Sequence, residues 1–306
     1  MQPPGVVITT CVGPGVPGLH FGVPVLACRF DKFDPEAAFR VMAEARVRNT
    51  FLPPTALKML RTLEAPRARF GIDLRTVGSG GESLGVETLE WGRRELGVTI
   101  NEFYGQTECN YVLSSCNAIG VGRPGAIGKP VPGHRVEIID PDGNVLPPGE
   151  LGEIAVARPD PVMFLGYWNR PEATAAKFVG DWLKTGDQGV RDADGYISFV
   201  GRDDDVITSA GYRIGPGEIE DCLLTHPAVA LAAAVGKPDA LRTEIVKAFV
   251  VLKEGVDGSA ELGKEIGAHV KSRLAAHEYP REIEFVDSLP MTTTGKVMRR
   301  VLRDRG

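Results

Sequence analysis

At 306 residues, with 43% hydrophobic and 25% charged side chains, the chain is long enough for two domains, each with its own core. A net charge of −5, with Lys and Arg scattered, excludes the clustered basic face that nucleic acid or an anionic membrane surface requires. No apolar run approaches the ~20 residues of a membrane span and no signal segment opens the chain, so a cytoplasmic protein is expected.

In chain order, PEAAFRVMAEARVR (35–48) carries apolar residues at helical spacing behind a proline suited to a first turn. NTFLPP follows as a strand, then a helix near 54–64. LRTVGSGGESL predicts a strand that runs through a glycine turn into a helix over 83–96, and VTINEFYGQTE a further strand and loop. Strand and helix thus alternate over 20–110, the pattern of an α/β layer with a mostly parallel sheet. From about 124 the segments shorten to RVEIID, GEIAVA and GYISFVG, separated by the turn sequences PDGNVLPPGE and DADG. They predict a small antiparallel β subdomain ending near Gly201. Beyond 203, GPGEIEDCLLTH predicts a helix, VALAAAVGK and EIVKAFVVLK strands, and AELGKEIGAHVKSRLAA an amphipathic helix, together an α+β domain.

Five cysteines, Cys11, Cys28, Cys109, Cys116 and Cys222, show no CxxC pair and no neighbouring histidines, so they read as reduced packing residues. The histidines His20, His134, His226, His269 and His277 are isolated, which argues against a hydrolase triad. Trp168, in GYWNRPEAT, is expected to pack at the edge of the β subdomain.

Five stretches could carry chemistry. GSGGESL (78–84) joins a strand to a helix, and its N–H groups could hold a flat polar or anionic ligand as readily as form a plain turn. EFYGQTE (102–108) places an aromatic, a glycine, a hydroxyl and a carboxylate at the C-terminal end of a strand, where open α/β sheets bind ligands. Tyr104 could stack on a ring, Thr107 could hydrogen-bond an oxyanion and Glu108 could hold Mg²⁺. A capped turn is the plainer reading. TGD (185–187) puts a carboxylate at an expected turn, and PMTTTGKVMRR (290–300) carries a glycine-lysine tip or a solvated basic tail. GRDDDVITSAGYRIGPGEIE (201–220) packs charge and glycine into the junction between two differently built regions, which favours a bend over a surface loop.

Read together and in order, these stretches resemble the adenylate-forming superfamily of acyl-CoA synthetases, nonribosomal peptide adenylation domains and luciferases. The likeness runs from about residue 18 to 303 and is strongest to acyl-CoA synthetases of the medium-chain and acetyl-CoA synthetase type. It implies a two-step ligase in which a carboxylic acid and ATP give acyl-AMP and pyrophosphate, and the acyl group then passes to coenzyme A. By the same resemblance, Gly80, Gly81 and Glu82 match residues lining the adenine, and Tyr104, Gly105 and Gln106 continue that wall. Thr107 matches an α-phosphate contact, Glu108 a Mg²⁺ ligand, and Asp187 and Arg202 the ribose contacts. Lys296 matches the lysine that bridges the carboxylate and the α-phosphate. Asp204 matches the pivot about which the C-terminal domain swings between half-reactions. Gly211 and Tyr212 match the pantetheine tunnel, and Arg213 and Arg242 cationic contacts to coenzyme A.

The implied fold is an α/β plus β subdomain in a partial large domain, followed by a small α+β C-terminal domain that rotates about a hinge. The expected divisions are an irregular, unmatched 1–17, a partial α/β AMP-binding subdomain over 18–123, a β subdomain over 124–202 and a mobile domain over 203–306. The family's Ser/Thr/Gly-rich phosphate loop ending in Pro-Lys-Gly is not found. TTCVGPGVPG (9–18) imitates its composition without the lysine. The chain is therefore expected to begin partway through the large domain, to turn over poorly by itself, and to expose a sheet edge that favours self-association, a homo-oligomer included. Two other readings stay open: a non-catalytic AMP/CoA-binding module, and an adenylation domain that loads a carrier protein.

Overall fold

The computed structural model describes residues 6–9, 20–28, 33–203, 205–292 and 297–305. The chain divides into two units, one of residues 1–103 with 116–124 and one of 104–115 with 125–306. Cys11, Asp204 and Lys296 lie outside the described residues.

The first unit is built on parallel strands. β1 (Val6–Thr9) pairs with β2 (Val25–Leu26) and β3 (Val47–Phe51), and β3 continues through β4 (Thr76–Gly80) to β5 (Ile100–Gln106), whose last three residues belong to the second unit. Strand β1 falls within the stretch expected to be irregular; its Val-Val-Ile-Thr sequence is β-branched throughout, and that preference prevails over the surrounding Pro and Gly. Helix α1 (Pro35–Glu44) starts where the Asp34 carboxylate accepts from the Glu36 and Ala37 N–H groups at 2.9 and 3.2 Å. It stops short of the expected residue 48. Arg46 takes a positive φ of 51°, and Val47, 2% exposed, turns into the sheet and the core. Helices α2 (Pro54–Leu60), α3 (Pro66–Phe70) and α4 (Val86–Trp91) follow, α4 running into a π-turn over Gly92–Leu96. Phe39, Leu57, Leu60, Val77, Trp91 and Ile100 form the centre of this unit's core.

In the second unit β6 (Asn110–Ser114) pairs antiparallel with β7 (Lys129–Pro130). An antiparallel sheet follows, formed by β8 (Val136–Ile139), β9 (Leu151–Ala157), β10 (Phe178–Val179), β11 (Trp182–Arg191) and β12 (Ile197–Arg202), with the short helix α5 (Pro171–Ala176) before β10. Its core gathers Ile138, Ile154, Val156, Leu183 and Ile197 around the buried Cys109. The last sheet orders β14 (Tyr212–Ile214), β13 (Ile207–Ser209), β16 (Thr243–Leu252) and β15 (Val229–Asp239), with β17 (Glu282–Phe285) parallel to β16. Helices α6 (Pro216–Leu224) and α7 (Ala260–Lys271) share its core through Ile219, Leu223, Ile266 and Val270, and α8 (Arg299–Arg303) closes the described chain. Among the described residues no helix is long and apolar enough to cross a membrane, and Cys28, Cys109, Cys116 and Cys222 are free thiols.

Candidate active site

The TGD stretch lies within strand β11 rather than in a turn between elements, which corrects the sequence reading. Its register on β9 pairs Lys184 with Ala155 and Gln188 with Glu153, so four steps of β11 span two of β9 and Thr185, Gly186 and Asp187 bulge. The bulge is anchored from below. The Thr185 hydroxyl donates to the Ile154 carbonyl at 2.6 Å, and the Gly186 N–H to Glu153 Oε1 at 2.8 Å.

The bulge directs the buried Asp187 carboxylate towards the end of β5. Tyr104 Oη donates to Asp187 Oδ2 at 2.7 Å and Gln106 Nε2 to the same oxygen at 2.9 Å, while Gln106 Nε2 also reaches the Thr185 carbonyl at 2.8 Å. Oδ1 takes neither bond. Arg202 stands opposite Asp187 in the β11–β12 register. Burial raises the Asp187 carboxyl above its ordinary range, against the pull of the Tyr104 and Gln106 bonds and the charges of Arg202 and Lys177. Burial, then the Asp187 charge, lifts the Tyr104 phenol well above its usual value, so it remains an O–H donor at neutral pH.

Between β5 and β6 the chain reverses so tightly that a Cβ on Gly105 would stand 1.7 Å from the Asn110 carbonyl oxygen. No flexible side chain can yield there, so the glycine is a steric requirement. Gly105→Ala is expected to cost about 2 kcal/mol or more in urea unfolding; an unchanged midpoint would show that the turn can open. Within the turn Thr107 is exposed. Glu108 Oε1 accepts from Tyr167 Oη at 2.6 Å, and the Glu108 carbonyl from the Phe164 N–H at 2.7 Å. The bond to Glu108 pushes the Tyr167 hydroxyl up to about 12. Beneath them burial pushes the Cys109 thiol up to about 11, which makes it a packing group and not a nucleophile.

In the first unit Gly80 ends β4, buried, and Gly81 turns the chain with φ 96°. Glu82 accepts from the Thr55 hydroxyl of α2 at 2.7 Å, and Glu102 of β5 from the Leu84 N–H at 3.2 Å, which ties GSGGESL to a helix and a strand beside it.

In the second unit the GYRI stretch is a hairpin. Strands β13 and β14 are joined by Ala210 and Gly211, both at positive φ (50° and 84°), and the Ala210 N–H donates to the Arg242 carbonyl at 2.9 Å. That bond brings the Arg242 main chain to the turn that carries Gly211 and leads into Tyr212 and Arg213 of β14. Tyr212 stacks on His277 with centroids 3.9 Å apart, and Arg213 pairs with Asp203 at 2.7 Å.

Sequence reasoning missed Tyr167, whose only signal was its place in GYWNRPEAT, and it misplaced Trp168. That indole is 90% exposed rather than packed on the β subdomain. It also missed the contact between His134 Nδ1 and Asp160 Oδ2, which lie 2.6 Å apart.

Residues 8–168 match the sequence model of the family described as AMP-binding enzyme, and residues 218–296 that of the AMP-binding enzyme C-terminal domain. The chain belongs to the AMP-binding enzyme family. This AMP-binding enzyme chain is 42% identical over 289 residues to acyl-coenzyme A synthetase ACSM2B, mitochondrial, of Homo sapiens, covering 91% of the chain and 50% of that protein. It is 40% identical over 309 residues to the acetyl-coenzyme A synthetase of Bacillus subtilis, covering 98% and 53%. A benzoate CoA ligase structure from Burkholderia xenovorans LB400 superposes with a TM-score of 0.87 at 33% identity, over 99% of the chain and 62% of that structure. The chain thus spans about half the length of these curated relatives.

Proposed function

We propose that this chain carries the chemistry of an acyl-CoA synthetase: a carboxylic acid and ATP give an acyl-adenylate and pyrophosphate, and coenzyme A then takes the acyl group. The observation that carries the reading is the junction of two separate motif stretches at one carboxylate. Tyr104 and Gln106 hold one oxygen of Asp187 and leave the other to accept from a ribose diol. Arg202 completes the ribose contacts. Gly80, Gly81, Glu82, Tyr104, Gly105 and Gln106 supply the adenine surfaces, and the exposed Thr107 hydroxyl meets the α-phosphate.

Glu108 is the residue that would hold Mg²⁺. A single carboxylate with one oxygen committed to Tyr167 is a donor set suited to an ion held mainly by water and nucleotide phosphates. Bound there, Mg²⁺ would neutralise phosphate charge. Lys296 is the compact cation for the negative charge that grows as the carboxylate attacks the α-phosphorus. Residues 203–306 would then rotate about Asp204 and bring the GYRI hairpin to the adenylate, with Gly211 and Tyr212 along the pantetheine and Arg213 and Arg242 on the coenzyme A phosphates. Arg213 can exchange partners cheaply, because its ion pair with Asp203 is 44% and 65% exposed.

The test is incubation of the 306-residue chain with ATP, Mg²⁺, coenzyme A and a panel of straight-chain acids, read by mass spectrometry beside Lys296→Ala. Acyl-AMP and acyl-CoA that disappear in the variant are the expected products, and the panel names the acid. Nucleotide binding with no Lys296-dependent product would favour a non-catalytic AMP/CoA module, and transfer only to a carrier-protein thiol would favour the carrier-loading reading.

A further inference from the structure

Tyr167 is not needed to hold the Glu108 main chain. The Phe164 N–H already fixes the Glu108 carbonyl at 2.7 Å, and the Cys109 N–H closes the turn on the Gln106 carbonyl at 3.2 Å. What the Tyr167 hydroxyl adds is a 2.6 Å bond to one side-chain oxygen, Oε1. Left to itself, a part-exposed glutamate samples several rotamers. Held at one oxygen by a charge-assisted bond, it presents the other in a fixed direction.

Tyr167 is itself held on both sides. Its N–H donates to Thr174 Oγ1 at 2.9 Å, and that hydroxyl donates onward to the Arg170 carbonyl at 3.0 Å. Its ring packs against Phe164 with centroids 5.0 Å apart, and Phe164 stacks on Phe178 at 6.2 Å. The start of the same loop is pinned by Asp160, which pairs with His134 at 2.6 Å and accepts from the Val162 N–H at 3.0 Å. It is a hydroxyl donor on a preorganised loop.

We propose that Tyr167 is a positioning residue that fixes Glu108 Oε1 and leaves Oε2 aimed at the nucleotide-bound divalent cation. The inference rests on the reading of Glu108 as the Mg²⁺ ligand and adds the residue that orients it. Partners of this kind, one bond removed from a metal, typically change metal affinity by about 10–100-fold when lost.

The test uses Mn²⁺ as a paramagnetic stand-in, with free and protein-bound Mn²⁺·ATP separated by electron paramagnetic resonance for the wild-type chain, Tyr167→Phe and Glu108→Gln. The phenylalanine keeps the ring packing and removes only the hydroxyl. The expected result is Mn²⁺·ATP binding weakened by about 10-fold or more in Tyr167→Phe and at least as much in Glu108→Gln, with AMP affinity in excess chelator the same in all three. A purely structural role would move the metal-free AMP affinity as well, and that result would overturn the inference. So would binding weakened by Glu108→Gln alone, although the proposed function would then stand. Binding of Mn²⁺·ATP indifferent to Glu108 would overturn both.

Discussion

Arg299→Ala is expected to lower the stability of the second unit by about 3 kcal/mol or more, read as a shift of the urea midpoint at constant slope. Glu220 on helix α6 is 5% exposed and takes its charge inside only because it is matched there. Arg299 Nη2 lies 2.8 Å from both Glu220 oxygens, and the Ala234 N–H adds a third partner at 3.0 Å. Arg299 also faces Asp205 at 3.9 Å, which pairs with Arg303 at 2.9 Å. Truncating the arginine strands a buried carboxylate, and the desolvation cost is then unopposed. Arg299→Met with Glu220→Leu should recover most of the loss, short of about 1–3 kcal/mol for the orphaned Ala234 N–H. Arg213→Ala is the contrast. Its ion pair with Asp203 is exposed on both sides and should cost less than about 1 kcal/mol. Equal losses for the two arginines would show that burial of the Glu220 carboxylate does not set the cost. The clamp lies three residues beyond Lys296 in sequence and, through Asp205, beside Asp204.

Asp187→Ala is expected to weaken AMP binding by about 100-fold, which is about 2.7 kcal/mol, a modest share of two charge-assisted bonds to a ribose diol. Isothermal titration would measure it, and a loss below about threefold would remove Asp187 from the site. The pH dependence has a definite sign. Burial raises the Asp187 carboxyl, so the folded chain holds that proton more tightly than the unfolded one. The ionised form therefore costs stability above the folded value, and the cost fades as pH falls through it. AMP affinity runs the other way, because only the carboxylate accepts from both hydroxyls. Affinity should fall with decreasing pH from a point above the ordinary aspartate range, and that step should vanish in Asp187→Ala.

Much of the fold was legible in the sequence, because side-chain type and spacing dictate local structure. The hydroxyl, carboxylate and glycine of EFYGQTE stand where the turn places them, and the alternation over 20–110 reflects helices packed on a parallel sheet. What stayed hidden depends on long-range pairing. Gly186, with φ 80°, reads as a turn residue, yet β9 and β12 flank it and make it a bulge inside a strand. Residues 45–48 continue a helical pattern until the sheet claims Val47. The partnership of Tyr167 with Glu108 spans 59 residues, a distance at which no local pattern operates. Trp168 suggests packing at the edge of the β subdomain by its type, but it sits between Gly166 and Asn169, both at positive φ, and is exposed.

Recognition of a ribose diol by the oxygen of Asp187 that Tyr104 and Gln106 leave over is read by titrating the unmodified chain with AMP and with 2′,3′-dideoxy-AMP under the same conditions. Saturable binding of AMP is expected, with binding weaker by about 10-fold or more for the dideoxy analogue, which lacks both hydroxyls. Equal affinity for the two nucleotides, or no binding of AMP at all, would contradict that recognition.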